Sequence, residues 1–222
     1  MTRRLQLAPS ILTADFGRLE DEIKTVAPFV DWFHLDVMDG HYVPNLTFGP
    51  SIVEVVKRAC DLPLHVHLMI EDPDKYARAF VDAGATRISF HPEVVADAGS
   101  TISRLHDLGA GAGLAIHPDV DLEVANPHVT DIEVLLMMTV RPGFGGQSYL
   151  HEVTPKIAAA KRLVEAREAD ADIEVDGGVN MTTIDEAVEA GAEIVVAGSA
   201  VFDGRDPAEA ARNLRAKLDE LA

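Results

Sequence analysis

Eight short apolar runs recur along this chain, each followed by a stretch that reads as helix, and that alternation limits the folds open to it. The runs are Leu5–Ala8, Phe33–Met38, Leu64–Met69, Thr86–Phe90, Gly113–Ile116, Ile132–Met138, Ile173–Val175 and Ile194–Ala197. After the first, Leu19, Ile23, Val26 and Val30 recur at helical spacing. Further helices are predicted over 51–59, 73–83, a segment ending near Leu108, a short one from Leu122, then 155–168, 183–190 and 207–221. Pro73 in a first turn and Gly84 past the end show the expected helix asymmetry. Near-continuous apolar strands separated by helices predict a parallel sheet buried on both faces. Eight such units in 222 residues predict one α/β domain, a closed (β/α)8 TIM barrel over residues 1–222. A doubly wound open sheet is the alternative, but no G-x-G-x-x-G follows the first run.

Composition narrows the classes further. The chain is 47% hydrophobic, enough for a real core, yet no apolar segment approaches a membrane span. Thr2, Arg3 and Arg4 lead into a strand that breaks at Pro9, so no leader is expected. Cys60 is the single cysteine, which excludes an intramolecular disulfide and suits a reducing cytoplasm. A formal charge of −18 argues against nucleic-acid binding, which needs basic patches. The acids are spread along helical segments such as 165–170, as expected of a solvated surface. A salt-rich cytoplasm would be one cause of such a surface.

In a barrel, the loops at the C-terminal strand ends carry the site. Side chains alternate along a strand, so His34, Asp36 and Met38 share one face, as do His65, His67 and Met69. Taken alone, each pair is more often a hydrogen-bonded structural feature, and Asp176 before Gly177-Gly178 is more often a turn former. Together, His34, Asp36, His67 and Asp176 converge on one mouth from three strands. They form a complete ligand set for a divalent cation such as zinc, iron or manganese. His91 and His117 end the fourth and fifth strands and are expected to border the mouth without ligating. Asp39 is expected to shape the turn at Gly40.

Glycine gathers on the last three strand ends: Gly143, Gly145 and Gly146 around Phe144, then Gly177-Gly178, then Gly198-Ser199. Glycine lets backbone N–H groups approach an anion closely, and the loops after strands seven and eight are the usual phosphate site of such barrels. Amides can thus hold a phosphate in a protein that is acidic overall. The 143–148 loop is expected to act as a lid.

These segments resemble the ribulose-phosphate 3-epimerase family across nearly the whole chain. The matching stretches are Ala8-Pro9-Ser10-Ile11-Leu12, His34-Leu35-Asp36-Val37-Met38-Asp39-Gly40, His65-Val66-His67-Leu68-Met69, Pro142-Gly143-Phe144-Gly145-Gly146-Gln147, Asp176-Gly177-Gly178-Val179-Asn180 and Ala197-Gly198-Ser199-Ala200. The resemblance implies a metal-dependent 3-epimerase of the pentose phosphate pathway, on a barrel of the ribulose-phosphate-binding type. It implies one divalent metal cation per subunit (Zn2+, Fe2+, Mn2+ or Co2+), held by His34, Asp36, His67 and Asp176. Asp36 and Asp176 correspond to the proton acceptor and donor. Ser10, His67, Gly143, Phe144, Gly145, Gly146, Gly177, Gly178, Gly198 and Ser199 correspond to contacts with substrate and its phosphate, and Met38, Met69 and Met138 to a wall around the reacting carbons. It also implies a phosphosugar substrate and a homo-oligomer. Arg141, His117 and the His91-Pro92 pair depart from the family's usual pattern. The readings set against this one are a 3-epimerase of a six-carbon ketose phosphate, a phosphosugar lyase or decarboxylase, and a non-catalytic phosphosugar binder.

Overall fold

The computed structural model describes residues 4–202 and 204–222; Met1, Thr2 and Arg3, at the start of the expected leaderless segment, lie outside the described residues. Eight strands form one parallel sheet: β1 (Gln6–Pro9), β2 (Phe33–Met38), β3 (Leu64–Met69), β4 (Arg87–Phe90), β5 (Gly111–Ile116), β6 (Val134–Met138), β7 (Asp172–Asp176) and β8 (Ile194–Ala197). Their order is β1-β8-β7-β6-β5-β4-β3-β2. The two ends of that ladder meet. Ser10 bridges His34, and the Asp31 and Trp32 N–H groups donate to the Leu7 carbonyl at 2.9 and 3.3 Å. The architecture is the expected barrel, and the open sheet is excluded.

Helices α1 (Leu19–Val26), α2 (Pro50–Ala59), α3 (Pro73–Asp82), α4 (Ala98–Asp107), α5 (Thr154–Ala166), α6 (Ile184–Glu189) and α7 (Pro207–Leu221) surround the strands. Two expectations need correction. The first helix stops at Val26 because Pro28 cannot continue its hydrogen bonding, and Ala27–Phe29 tighten into a 3-10 turn. The segment after β5 is only a 3-10 turn, Leu122–Ala125. Asp121 caps it, its side chain accepting from Glu123 N at 2.9 Å, and Pro127 lies too close behind for an α-helix.

Every residue of β2 and β3 is buried. Phe33, Leu35 and Val37 join the apolar layer that includes Ile23, Val53 and Val56 of α1 and α2. Burying each such side chain is worth roughly 1.5–3 kcal/mol. The alternate residues point into the barrel, where layers of side chains form a packed interior. Here that interior is polar on the side of β2, β3, β4 and β7, where His34, Asp36, His65, His67, Ser89 and Glu174 are all buried, and apolar around Ala115, Leu136 and Met138 and around Ala8, Ile194 and Val196. The acidic surface expectation therefore has exceptions, and Asp36 and Glu174 are the ones that matter. Among the described residues, no helix is long and apolar enough to cross a membrane.

Candidate active site

The ends of β2, β3 and β7 bring the expected residues together. Asp36 pairs in register with His67, and Met38 with Met69; Met138 pairs with Asp176. Thr47 fixes the end of β2, donating from Oγ1 to the Asp36 carbonyl at 2.8 Å and accepting from Met38 N at 2.9 Å. Asp39 shapes the turn as expected: its Oδ1 accepts from the N–H groups of His41 and Tyr42 at 2.8 and 3.0 Å.

A cavity of about 300 Å³ opens at this end of the barrel. Ser10, Asp36, Asp176 and the methionines Met38, Met69 and Met138 line it, together with Gly143, Phe144, Gly145, Gly146, Gly177, Gly178, Gly198 and Ser199. His34 and His67 are fully buried behind the two aspartates and do not form part of the wall. Leu12, Thr13, Val140 and Val179 line the cavity as well. Among the described residues, no lysine or arginine lines the cavity.

The four candidate ligands each present one atom within 4.8 Å of the other three. His34 Nε2 lies 3.3 Å from Asp36 Oδ1 and 3.7 Å from Asp176 Oδ2. His67 Nδ1 lies 3.0 Å from Asp36 Oδ1 and 3.6 Å from Asp176 Oδ2. His34 Nε2 is buried without a hydrogen-bond partner, an arrangement that is costly unless something else satisfies the nitrogen. Two imidazole nitrogens and two carboxylates suit a divalent transition metal. This cluster could hold one.

The surroundings push the two aspartates apart. Burial raises the Asp36 carboxyl, but His34 and His67 outweigh it and hold Asp36 well below the ordinary carboxylate range. Ser10 adds to this by donating from Oγ to Asp36 Oδ2 at 2.5 Å. Asp176 is pushed up, by burial first and then by the charge of Asp36. Burial alone would lower both histidines, but the Asp36 and Glu174 carboxylates raise His34 well above its usual value, and Asp176 and Asp36 raise His67. Environments that separate two carboxyls in this way are how an acid and a base share one site.

The late glycines are required by close approach. Gly177 and Gly178 have φ of +124° and +67°. A Cβ at Gly178 would stand 2.2 Å from Tyr149 N, and one at Gly177 2.4 Å from Val140 Cγ2. The 143–148 loop folds over the cavity: Asn45 Nδ2 donates to the Gly143 carbonyl at 2.7 Å, and Gln147 Nε2 donates to the carbonyls of Arg141 and Phe144 at 2.7 and 2.9 Å. Arg141 itself turns outward to Asp119 at 3.1 Å.

A model of the family described as "Ribulose-phosphate 3 epimerase family" matches residues 6–202. Curated relatives named ribulose-phosphate 3-epimerase include that of Bacillus subtilis, 47% identical over 95% of this chain and 98% of its own length. The Escherichia coli relative of the same name is 39% identical over 97% of each chain. The chain belongs to the ribulose-phosphate 3-epimerase family. It is therefore an isomerase, as the family resemblance of its motifs implies. Solved structures similar in fold alone include KGPDC from Streptococcus mutans, with a TM-score of 0.75, 15% identity and 99% coverage of both chains. Orotidine 5'-phosphate decarboxylase from Pyrococcus horikoshii has a TM-score of 0.70 at 16% identity, covering 96% of this chain and 99% of its own.

Around this epimerase-family site the buried Glu174 escaped the sequence reading, and the buried His65 and His91 take places that it did not give them. Glu174 lies 2.9 Å from His34 Nδ1 and 3.0 Å from His65 Nδ1. His91 does not border the mouth; it is fully buried, with Nε2 3.0 Å from His67 Nε2. Burial pushes both His65 and His91 down to about 4. The available signal was the i, i+2 doublet: Glu174–Asp176 repeats the spacing of His34–Asp36 and His65–His67.

Proposed function

We propose that this chain interconverts D-ribulose 5-phosphate and D-xylulose 5-phosphate by proton transfer between Asp36, Asp176 and the substrate's C3. The observation that carries the reading is the pair of carboxylates from β2 and β7, facing one cavity, with oxygens within 4.8 Å of each other and of two buried imidazole nitrogens. Inversion at a carbon next to a ketone needs a base on one face and an acid on the other. Asp36, held ionised by its histidines, is suited to take the C3 proton; Asp176, pushed up, is suited to return one from the opposite side. The two exchange roles when the reaction runs in reverse. Between the transfers, negative charge rests on the C2 oxygen as an enediolate.

His34, Asp36, His67 and Asp176 would hold a divalent cation, with zinc, iron, manganese and cobalt all compatible with the donor set. When bound, such a cation supplies Lewis-acid stabilisation of the charge on the C2 oxygen. Ser10 keeps Asp36 Oδ2 oriented, and Met38, Met69 and Met138 exclude water from the reacting carbons. With no basic side chain among the described residues of the wall, the phosphate is held by backbone amides of the loops after β7 and β8, and the 143–148 loop closes over it. Gly177 and Gly178, where a side chain would collide with Val140 and Tyr149 respectively, let the loop after β7 pack closely against its neighbours at the cavity.

The test is a comparison of kcat/KM on D-ribulose 5-phosphate and D-allulose 6-phosphate, before and after chelation and metal add-back. The reading expects the five-carbon substrate to be preferred and activity to be lost on chelation. Preference for the six-carbon ketose would reassign the substrate, and activity indifferent to chelation would remove the metal from the scheme.

A further inference from the structure

A second polar chain crosses the barrel interior below the two aspartates. Glu174, fully buried midway along β7, meets histidines from two facing strands. Its Oε1 lies 2.9 Å from His34 Nδ1 and 3.0 Å from His65 Nδ1, and its carboxylate also approaches His65 Nδ1 to 2.9 Å through Oε2. His65 continues the chain on its other side, with Nε2 2.7 Å from Ser89 Oγ. Side chains alone thus link β4, β3, β7 and β2 through the middle of the barrel. Space for Ser89 is reserved: a Cβ at residue 113 would stand 2.0 Å from Ser89 Oγ, and Gly113 has none.

A buried carboxylate kept only for packing is a poor bargain, since apolar residues of similar volume commonly serve as well or better. What Glu174 can do, and an apolar residue cannot, is decide where His34 carries its proton. An ionised carboxylate only accepts hydrogen bonds, so the Nδ1 facing it is the protonated nitrogen. That leaves Nε2 as the ring nitrogen able to bind a cation. Nε2 is also the atom without a hydrogen-bond partner, turned toward Asp36 and Asp176. Glu174 is absent from the cavity wall, so it acts through His34 and not on substrate.

We propose that Glu174 is the positioning residue of the metal centre: it fixes the His34 tautomer that presents Nε2, sets the orientation of that ring, and through its negative charge makes Nε2 a stronger ligand. His65 and Ser89 in turn hold Glu174 in place. The inference rests on the metal-binding reading above.

The experiment compares Zn2+ affinity of the chelator-stripped full chain, by competition with a chromophoric chelator, in wild type, Glu174→Gln, Glu174→Asp and Ser89→Ala. Gln can still accept from His34, and its amide can donate to His65 once His65 turns its own proton to Ser89 Oγ, so folding is expected to survive. The charge is lost, and Zn2+ affinity should fall about 10- to 100-fold. Glu174→Asp, which retains charge but retracts it, should fall between, and Ser89→Ala should lose least. At saturating Zn2+ the KM for D-ribulose 5-phosphate should be unchanged, because Glu174 does not touch substrate. Histidine 15N NMR of the zinc-loaded wild type should show His34 protonated at Nδ1. A folded Glu174→Gln chain binding Zn2+ within about twofold of wild type, where an outer partner is worth tenfold or more, would overturn the proposal. So would a His34 protonated at Nε2. A wild type that binds no Zn2+ would instead overturn the metal reading itself.

Discussion

Replacing Asp176 by asparagine removes one proton-transfer group while leaving size and fold nearly untouched. Asp176 is buried except where it meets the cavity, and its Oδ2 lies 3.6 Å from His67 Nδ1 and 3.7 Å from His34 Nε2. Burial and the charge of Asp36 raise its carboxyl above the ordinary range. The sign follows: above the unfolded carboxylate range, ionised Asp176 costs folding stability, and an amide carries no such cost. The chelator-stripped Asn variant should therefore melt no lower than stripped wild type. Activity should behave differently. Loss of one positioned acid or base costs about 10²- to 10⁴-fold, or about 3–5 kcal/mol of transition-state stabilisation. Loss of one of four ligands should also weaken metal binding, so the assay is run at saturating metal. Asp36 remains, so one epimer should still exchange its C3 proton with D2O without inverting. NMR of each epimer in D2O measures both quantities. Epimerisation within about tenfold of wild type, below the range for a lost acid–base group, would refute the two-carboxylate scheme.

Other consequences follow from neighbouring residues. His65 and His91, pushed down to about 4 by burial, should stay neutral as pH falls, whereas the unfolded chain takes up their protons near 6.5. Each therefore withdraws stability as pH drops from about 6.5 to about 4, by up to about 3 kcal/mol; denaturant unfolding of wild type and His65→Gln across that range would reveal the difference in slope. His34 and His67 shift the other way despite their burial, mainly through Asp36 and Asp176, so protons compete with metal above the usual histidine range. Zn2+ affinity should still be rising with pH above 6.5, and a plateau already reached there would contradict the assignment. Gly178→Ala, at φ +67° with its Cβ 2.2 Å from Tyr149 N, should raise KM for the phosphosugar and lower stability by at least about 1 kcal/mol. Hydrogen exchange at residues 143–148 should slow when phosphosugar binds; unchanged exchange would remove the lid role.

The sequence made the strand-end chemistry readable because each doublet sits beside a boundary. His34 and Asp36 precede Gly40, His67 ends an apolar run, and Asp176 precedes two glycines. Glu174 carries the same spacing but lies between Ile173 and Val175, and its partners are 140 and 109 residues away in the chain. Apart from that spacing, nothing local marks it as different from a solvent-facing acid. His91 was set aside for the same reason: only the neighbouring β3 and β4 strands bring it to His67. The barrel's closing seam, Ser10 against His34, was equally hidden, since it joins the two ends of the ladder. Helix boundaries failed where proline intervened, at Pro28 and Pro127.

The most direct measurement of the central claim is deuterium incorporation at C3 of D-ribulose 5-phosphate in D2O, followed by NMR with and without a chelator. The account predicts rapid incorporation alongside appearance of D-xylulose 5-phosphate, abolished by the chelator and restored by a divalent metal. Epimerisation that leaves C3 undeuterated, or that proceeds at full rate in the chelator, would contradict it.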